Sequence, residues 1–397
     1  YDKDKAAYDT AKAKYDQDLA AYQQYVASIE GRNDVVKSTS DVVIYGSENP
    51  ANQGSGNYYD YTVALKNNDY HKLDGAIGYH ANSTITANNA TTEWSTTTAD
   101  PENPADKRGG INNLKAGDSI RISNVATYDD GEPLHMLITF TDVRKGQVNG
   151  TTHGESTLPN VLWVLRDAAN DAISFHTRGG TGDVTQTFRF VNDAGEPVSL
   201  VTPVIIGDVD WWQRSTLTGV SNLYTLVPDD SRLLKLAGET VQGQDFPAEG
   251  MNTAPLGTYL KVLAGDTITY RHDGGQTPDQ ENQGILVGRR YQYDIFGQDS
   301  QFLAKTPPIP PRAPKAPAIP VGPSSITKSV SLDDKSYVSA ATPGKALDVK
   351  KQDATWTWKL DVKLSNNTSY DSLVISDTIE NVQPVKASDI RVYDNAG

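Results

Sequence analysis

The feature that most constrains the fold of this chain is a change in the period of its sequence pattern near residue 33. Before that point a large side chain recurs every seven residues, at Tyr1, Tyr8, Tyr15 and Tyr22, and Ile29 continues the series. After it, apolar and polar residues alternate in short runs. A period of seven is typical of a helix that packs along one stripe, and a period of two is typical of a half-buried strand. The sequence therefore predicts a mainly β protein that begins with one long helix.

The helix is predicted over residues 1–32, where alanine supplies high helix propensity. Four residues after the tyrosines stand Lys5, Lys12, Leu19 and Val26, so a second stripe is polar at first and apolar later. A seven-residue repeat implies left-handed supercoiling against a partner helix. We interpret the segment as a coiled-coil-type stalk helix whose partner lies elsewhere in the full-length protein. Packing onto the following domain is the alternative, and the two interpretations are compatible.

Residues 33–304 are predicted to form one large β-sandwich, because strand-like runs and turn signals follow each other closely. The predicted strands are Tyr61–Leu65, Ser119–Tyr128, Leu134–Val143, Val161–Leu165, Ala172–His176, Val184–Val191, Val198–Ile206, Thr258–Leu263, Thr267–Arg271 and Arg290–Ile295. Two pairs of similar segments are interpreted as turns and as starts of strands, and not as functional sites. Hairpin turns are expected at 129–133 and 192–197, and Ala-Gly-Asp at 116–118 and 264–266 is expected to open a strand each time.

A proline-rich stretch separates this domain from the last one. Residues 305–323 hold eight of the 21 prolines, which predicts a semi-rigid polyproline linker. Residues 324–397 begin a second, Ig-like β domain, with strands at Thr355–Leu364 and Leu373–Ile379. Because so few strands follow, we expect this domain to be truncated.

The amino-acid composition excludes several kinds of site and argues against several classes of function. The chain has no cysteine, which excludes disulfides, thiolate-bound zinc and cysteine nucleophiles. Its 50 acidic and 36 basic side chains give a net charge of −14, which argues against a dedicated nucleic-acid binder. No apolar run approaches the ~20 residues of a membrane span, so no membrane insertion is expected in this sequence.

The order of these segments and their sequence patterns together resemble those of the cell-wall-anchored adhesins of Gram-positive cocci. The residues that carry the resemblance are the repeated Tyr-Asp-x-x-x-Ala-Ala stalk pattern, the large β domain, the short proline spacer and an Ig-like domain opening with Ile326–Val330. The combination of stalk and β domain is similar to the antigen I/II family, to glucan-binding surface proteins and to the aggregation substance of conjugative plasmids. The resemblance covers nearly the whole chain as architecture.

The resemblance implies a fold, a location and a ligand class. The fold would be a lectin-like β-supersandwich carried on a helical stalk, with a cleft that often holds a structural metal ion. The location would be extracellular and cell-wall anchored, with the anchor outside this sequence. The ligand would be a glucan or other extracellular polysaccharide, a salivary or other host glycoprotein, lipoteichoic acid or extracellular DNA.

The resemblance also implies an isopeptide bond in the last domain. Similar domains join a Lys on the first strand to an Asn on the last, with an Asp on a middle strand as proton relay. Lys328 and Asp377 occupy the matching positions, and the Asn is expected beyond Gly397. The chemistry requires burial, which lowers the pKa of the amine and raises that of the acid. The alternative is that Lys328 is a solvated lysine on a strand and that Asp377 caps a turn. Asp361 is a weaker candidate for the proton relay.

Within the β domain, the most site-like run is Asp208–Gln213. If the run is extended, Asp208 and Asp210 point the same way and offer two hard oxygen ligands, which suits a structural Ca²⁺. In that case Trp211 and Trp212 cannot both face one core, so one indole would line a cleft beside Gln213 as a stacking platform for a sugar ring or a base. The alternative is that the carboxylates cap a turn and both indoles fill the core.

Other candidates are weaker. Trp94, in a polar stretch, is either a loop anchor or an exposed ligand contact, and Trp163, in a continuous apolar run, is expected in the core. Catalytic motifs are missing, and the histidines show no metal-ligand spacing. We therefore expect a non-enzymatic adhesin. The rival functions are an aggregation or conjugation adhesin for lipoteichoic acid or DNA, a carbohydrate-active hydrolase, and a purely mechanical spacer.

Overall fold

The computed structural model describes residues 2–52, 58–146, 155–244, 256–274, 291–298, 302–305, 310–317, 325–339, 355–363 and 390–392. The chain divides into two compact units. One comprises Tyr1–Ala13 with Pro314–Gly397, and the other comprises Lys14–Ala313.

The described residues form one α-helix, one short 3₁₀ segment and 22 strands. The helix α1 spans Asp2–Glu30 and the 3₁₀ segment spans Pro50–Asn52. The first eleven strands are β1 Val35–Ser38, β2 Val42–Glu48, β3 Tyr59–Leu65, β4 Leu73–Asp74, β5 Ile85–Ala87, β6 Glu93–Asp100, β7 Asn103–Asn112, β8 Ser119–Tyr128, β9 Glu132–Lys145, β10 Asn160–Asp167 and β11 Ala172–Gly179. The others are β12 Thr181–Val191, β13 Leu200–Gly207, β14 Arg214–Leu226, β15 Leu233–Lys235, β16 Thr240–Gly243, β17 Tyr259–Asp273, β18 Gln292–Ile295, β19 Phe302–Lys305, β20 Ser325–Ser331, β21 Val338–Ser339 and β22 Thr357–Lys363. A mainly β fold with an N-terminal helix is thereby confirmed.

The last turns of α1 pack against the β domain. Tyr22 and Ile29 of the first stripe and Val26 of the second are buried there against two residues of the small sheet, Val43 and Ala64. The hydroxyl of Tyr22 donates a hydrogen bond to the backbone carbonyl of Leu65. The C-terminal end of the predicted stalk helix is therefore part of the domain that follows it.

Two sheets build the unit Lys14–Ala313. The small sheet has the strand order β1-β2-β3-β19, and β19 joins it in parallel to β3. The large sheet follows the path β4-β8-β9-β12-β17-β13-β18-β11-β10-β7-β6, with β5, β14, β15 and β16 paired beside that path. The large sheet folds around the main core, to which strands such as β8, β12 and β11 contribute Ile120, Phe188 and Phe175. The opposite face of β13 and β17 packs on the small sheet through Ile205 and Val262. This two-layer arrangement is sandwich-like, as the sequence predicted.

The long strand β17 differs from the prediction of two strands. Thr258–Leu263 and Thr267–Arg271 were expected on either side of a turn at Gly265, but Tyr259–Asp273 is continuous. Gly265 has a φ of 132°, and a Cβ there would lie 2.7 Å from the side chain of Val220. The glycine therefore lets neighbouring β14 approach without ending the strand. The equivalent Gly117 does precede a strand, since β8 begins at Ser119.

The unit that includes residues 314–397 shows a three-stranded sheet, in the order β21-β20-β22. The predicted strand Leu373–Ile379 lies outside the described residues. Across the described part of the chain, no helix combines the length and hydropathy of a membrane span.

Candidate ligand-binding site

The run from Asp208 to Gln213 forms a tight turn between β13 and β14, and we call it the Trp211 turn. It is not extended as the sequence analysis supposed, because Asp208, Trp211 and Trp212 have φ values of 62°, 42° and 68°. The backbone N–H of Gln213 donates to the carbonyl of Asp210 at 2.7 Å. Positive φ at both central residues with this hydrogen bond is the pattern of a type I′ turn. Strand alternation therefore does not decide where these side chains point.

Two consecutive tryptophans are unusual in such a turn. Type I′ turns favour Asn and Gly, since a bulky L-residue in the left-handed region costs ~1–2 kcal/mol. Trp211 is 44% exposed, whereas Trp212 is half-buried and its carbonyl accepts a 3.4 Å hydrogen bond from Gln242. The turn thus presents one large aromatic surface to solvent on a backbone that is held in a costly conformation. Strain of this kind persists only where surrounding structure enforces it.

Buried hydrogen bonds hold the Trp211 turn in this conformation, and the first of them involve the side chain of Gln213. Its Nε2 donates to Oδ1 of Asp210 at 2.9 Å, and its Oε1 lies 2.9 Å from Nε2 of His272 on β17. Because the amide oxygen only accepts, His272 carries its proton on Nε2. Nδ1 of His272 is then the acceptor for the hydroxyl of Tyr270, 2.8 Å away. All four side chains are buried.

The series continues into the core. The hydroxyl of Ser215 donates to that of Tyr270 at 3.0 Å and accepts from Tyr259 at 2.7 Å. The donors therefore run one way, from Tyr259 through Ser215, Tyr270, His272 and Gln213 to the carboxylate of Asp210. We call this series the polar chain. Aligned hydrogen bonds in a low-dielectric core reinforce one another.

Burial keeps the histidine and the two tyrosines of the polar chain neutral. It lowers the pKa of His272 to about 3 and raises the pKa values of Tyr259 and Tyr270. The donor and acceptor roles are thus fixed across the neutral pH range. A rigid scaffold of this kind positions Trp211 for contact with a ligand.

A second group of side chains lies on the β10–β11 face that carries Trp163 and His176, which are paired in register. Trp163 is 2% exposed, which confirms the prediction that it is buried, and its Nε1 donates to the carbonyl of Thr98 at 3.0 Å. The guanidinium of Arg178 lies 4.4 Å from the centre of the indole, and that of Arg108 lies 5.9 Å from it. We call Trp163, Arg178, Arg108 and His176 the Trp163 cluster. Sequence reasoning missed it, because the only signal was a His-x-Arg pair on one strand face.

His176 in this cluster has the wrong hydrogen-bond pattern for a general base. NH2 of Arg178 lies 3.2 Å from its Nδ1, and Arg can only donate, so Nδ1 is the acceptor. Nε2 of His176 then carries the proton and donates to Oγ of Ser174 at 2.9 Å. Burial, followed by the charges of Arg178 and Arg108, lowers the pKa of His176 to about 4. The pair resembles a nucleophile and base in spacing only, since His176 cannot take the serine proton in this form.

Asp294 on β18 faces Ser174 in the sheet and is buried. Burial raises its pKa to about 6, the nearby Ser174 hydroxyl partly offsets that effect, and the charge of Asp167 adds to it. Neither oxygen of the Asp294 carboxylate has a hydrogen-bond partner among the described residues. No role in the polar chain or in the Trp163 cluster follows from these contacts.

Trp94, Lys328 and Asp361 lie on strands β6, β20 and β22. Trp94 is half-buried on β6 and packs against the main core, beside Gly109. Lys328 is half-buried on β20, with its Nζ 4.6 Å from the ring centre of Trp358. Asp377 lies outside the described residues, and Asp361 is exposed and paired with Lys359 at 3.1 Å. The isopeptide bond stays a prediction.

Calcium at Asp208 and Asp210 also stays a prediction. Both carboxylates are buried, but one oxygen of Asp210 already accepts from Gln213. Ca²⁺ takes six to eight oxygen ligands. Among the described residues, no group of three or more His, Cys, Asp or Glu side chains is arranged to hold a metal ion. The described residues therefore do not complete a calcium site at this turn.

Comparison with known proteins gives a weak structural likeness and no match in sequence. No protein-family model matches the chain, and no curated protein matches it in sequence. A solved structure with a similar arrangement is the N-terminal domain of the Streptococcus gordonii adhesin Sgo0707. The TM-score is 0.32 and the identity 9%, and the match covers 64% of this chain and 66% of that one. Likeness at this level does not assign the chain to a family.

Proposed function

We propose that this protein is the ligand-presenting part of a cell-surface adhesin, extracellular and wall-anchored, that binds a polysaccharide or host glycan without altering it. The observation that supports this proposal is the Trp211 turn. An exposed indole is held in a strained backbone conformation by buried hydrogen bonds, which is a pre-organised stacking surface for a sugar ring. The architecture that resembles antigen I/II adhesins is consistent with this role.

Two observations favour binding over hydrolysis. The Ser174–His176 pair has the protonation pattern that prevents base catalysis, and the polar chain ends on a carboxylate already engaged by Gln213. The net charge of −14 also disfavours DNA and lipoteichoic acid, because both are densely charged polyanions. A neutral glycan is not repelled by this net negative charge.

The test is the affinity of the whole chain for dextran and for mucin, measured by isothermal calorimetry with wild type, Trp211→Ala and Trp358→Ala. Trp358 is the matched control, since it is 42% exposed but lies on β22 of the other unit. We expect Trp211→Ala to weaken binding on the order of tenfold, because stacking on an aromatic is worth ~1–3 kcal/mol. Trp358→Ala should bind as wild type does.

Three results would contradict the proposal. The first is the absence of binding to both polymers, which would favour a mechanical spacer. The second is release of new reducing ends from dextran, which would favour a hydrolase. The third is binding to lipoteichoic acid or DNA that is stronger than glycan binding and weakens steeply with salt.

A further inference from the structure

We infer that the Trp163 cluster is a subsite for the carboxylate of an acidic sugar, held by Arg178 and Arg108. This inference deepens the proposed function and depends on it only in taking the ligand to be a saccharide. It concerns a different part of the domain from the Trp211 turn, so each can fail separately.

The geometry supplies two guanidinium groups beside one indole. Arg178 extends from β11 and Arg108 from β7, so both are placed by strands and not by loops. Trp163 is buried, while the side chains of Arg178 and Arg108 are 19% and 53% exposed. A ligand would therefore meet the edges of the guanidinium groups, with the indole as a floor beneath them. Stacking on an aromatic face fixes the plane of an arginine and leaves its N–H groups pointing outward.

Each arginine of this cluster has one carboxylate partner, Asp100 or Asp106, in an ion pair that is either long or exposed. NH1 and NH2 of Arg178 contact neutral acceptors, the carbonyl of Thr177 at 2.9 Å and Nδ1 of His176 at 3.2 Å. The carboxylate of Asp100 is 3.7 Å from Nε of Arg178, beyond hydrogen-bonding distance. Arg108 pairs with Asp106 at 3.2 Å in an exposed position, where ion pairs are weak and exchange readily.

The electrostatics agree with this geometry. Burial lowers the pKa of Arg178, and the attraction of Asp100 and Asp106 offsets this only in part. The two arginine charges also contribute to the lowered pKa of His176, about 4. A bound anion would therefore stabilise both the buried guanidinium and any positive charge on His176.

A single carboxylate fits better than a phosphate polymer. The planar fork of arginine matches a carboxylate in a bidentate arrangement. The net charge of −14 repels a dense polyanion over long range, whereas one carboxylate on a sugar ring meets less of that field. A uronic acid within an otherwise uncharged glycan combines a ring for stacking with an isolated carboxylate.

The test compares two oligosaccharides that differ at one carboxyl group. The affinities of an otherwise neutral oligosaccharide with one galacturonic acid residue, and of the methyl ester of that residue, are measured by calorimetry at low salt. We expect the acid to bind at least tenfold more tightly, because hydrogen bonds to charged groups are among the strongest that side chains make. Arg108→Gln should reduce that ratio several-fold, and Arg178→Lys, which keeps the charge but loses the fork, should do the same. Arg189→Gln is the matched control, as an exposed arginine on β12 whose loss should leave the ratio unchanged.

A second readout does not depend on variants. The pKa of His176, followed by NMR of its ring proton, should rise above about 4 when the acid is bound and stay unchanged with the ester. Equal affinity for acid and ester, or a ratio that survives both substitutions, would overturn the inference. Tighter binding of poly(glycerol phosphate) than of the acid, lost on Arg108→Gln, would also overturn it in favour of a phosphate site.

The same measurements separate this inference from the proposed function. If Trp211→Ala weakens binding of the ester while the acid binds no more tightly than the ester, the proposed function stands and this inference fails. If the acid advantage depends on the arginines while Trp211→Ala has no effect, this inference stands and the assignment of glycan binding to the Trp211 turn fails.

Discussion

His272 donates a hydrogen bond from Nε2 to Oε1 of Gln213 at 2.9 Å, although 59 residues separate the two in sequence. This contact ties the Trp211 turn to β17, which pairs with β12, β13 and β14 in the large sheet. It also fixes the orientation of the Gln213 amide, since the oxygen faces an N–H and the nitrogen faces the carboxylate of Asp210. The position of the exposed Trp211 therefore depends on residues far from it in the chain.

We predict that Gln213→Leu destabilises the protein by ~1–3 kcal/mol, because it leaves the N–H of His272 and a carboxylate oxygen of Asp210 buried without this partner. Gln242→Leu is the matched control, since Gln242 is similarly buried and its one side-chain hydrogen bond to a described residue is the 3.4 Å bond to the carbonyl of Trp212. Urea unfolding measures both variants. Equal losses for the two would show that the polar chain does not hold the turn.

We predict that the free energy of unfolding falls as the pH is lowered below 6.5, with His272 and His176 contributing. Their pKa values are lowered to about 3 and about 4, so in this window the unfolded chain binds protons that the folded chain does not. At pH 4.5 each histidine should cost about 2–3 kcal/mol relative to pH 7, since a pKa unit corresponds to ~1.4 kcal/mol. His272→Gln and His176→Gln should each reduce the loss between pH 7 and pH 4.5 in urea titrations. A loss as large as that of wild type in both variants would contradict the assignment.

We predict the opposite pH trend for Asp294. Its pKa is raised to about 6 by burial, so between pH 3.8 and 6 the folded chain holds the extra proton and stability falls as pH rises. Asp294→Asn should therefore raise the free energy of unfolding at pH 7.5 by about 1–3 kcal/mol and change little at pH 3.5. Asp266→Asn, a half-buried aspartate on β17, is the control and should show no such gain. Thermal melts at the two pH values check the prediction, and destabilisation of Asp294→Asn at pH 7.5 would refute it.

The sequence predicted strands well where one face is buried and the other is not. The predicted strand Ser119–Tyr128 coincides with β8, because its Ile120 and Ile122 alternate with less buried residues. The prediction missed strands whose residues are mostly polar, because such strands lack an apolar alternation. β6 and β7 have few large apolar residues, and their pairing depends on neighbouring strands that no local pattern reveals.

The candidate site could be located from sequence but not understood from it. The Asp208–Gln213 run stood out by composition, yet its left-handed backbone and the exposure of Trp211 follow from tertiary packing. The polar chain depends on the register that places Ser215 opposite His272. The Trp163 cluster likewise needs β10 and β11 aligned so that Trp163 faces His176. Such pairings between distant segments are not encoded in any short window.

The floor of the Trp163 cluster gives the last prediction. Gly110 on β7 lies so close to β10 that a Cβ would be 2.5 Å from the carbonyl oxygen of Leu162 and 2.9 Å from Cδ1 of Trp163. Because a backbone atom cannot move aside without breaking the β7–β10 ladder, Gly110→Ala should destabilise the protein by ~1–3 kcal/mol or more. It should also change the near-ultraviolet circular dichroism of Trp163.

The matched control is Gly31→Ala, where the nearest atom to an added Cβ is 3.8 Å away and no cost is expected. Urea unfolding of both variants separates the effect of crowding from the general effect of adding a methyl group. If Gly110→Ala is no less stable than Gly31→Ala, then β7 and β10 do not approach as closely as the structure places them. The indole floor beneath Arg178 and Arg108 would then be wrongly positioned, and the carboxylate subsite would lose its geometric basis.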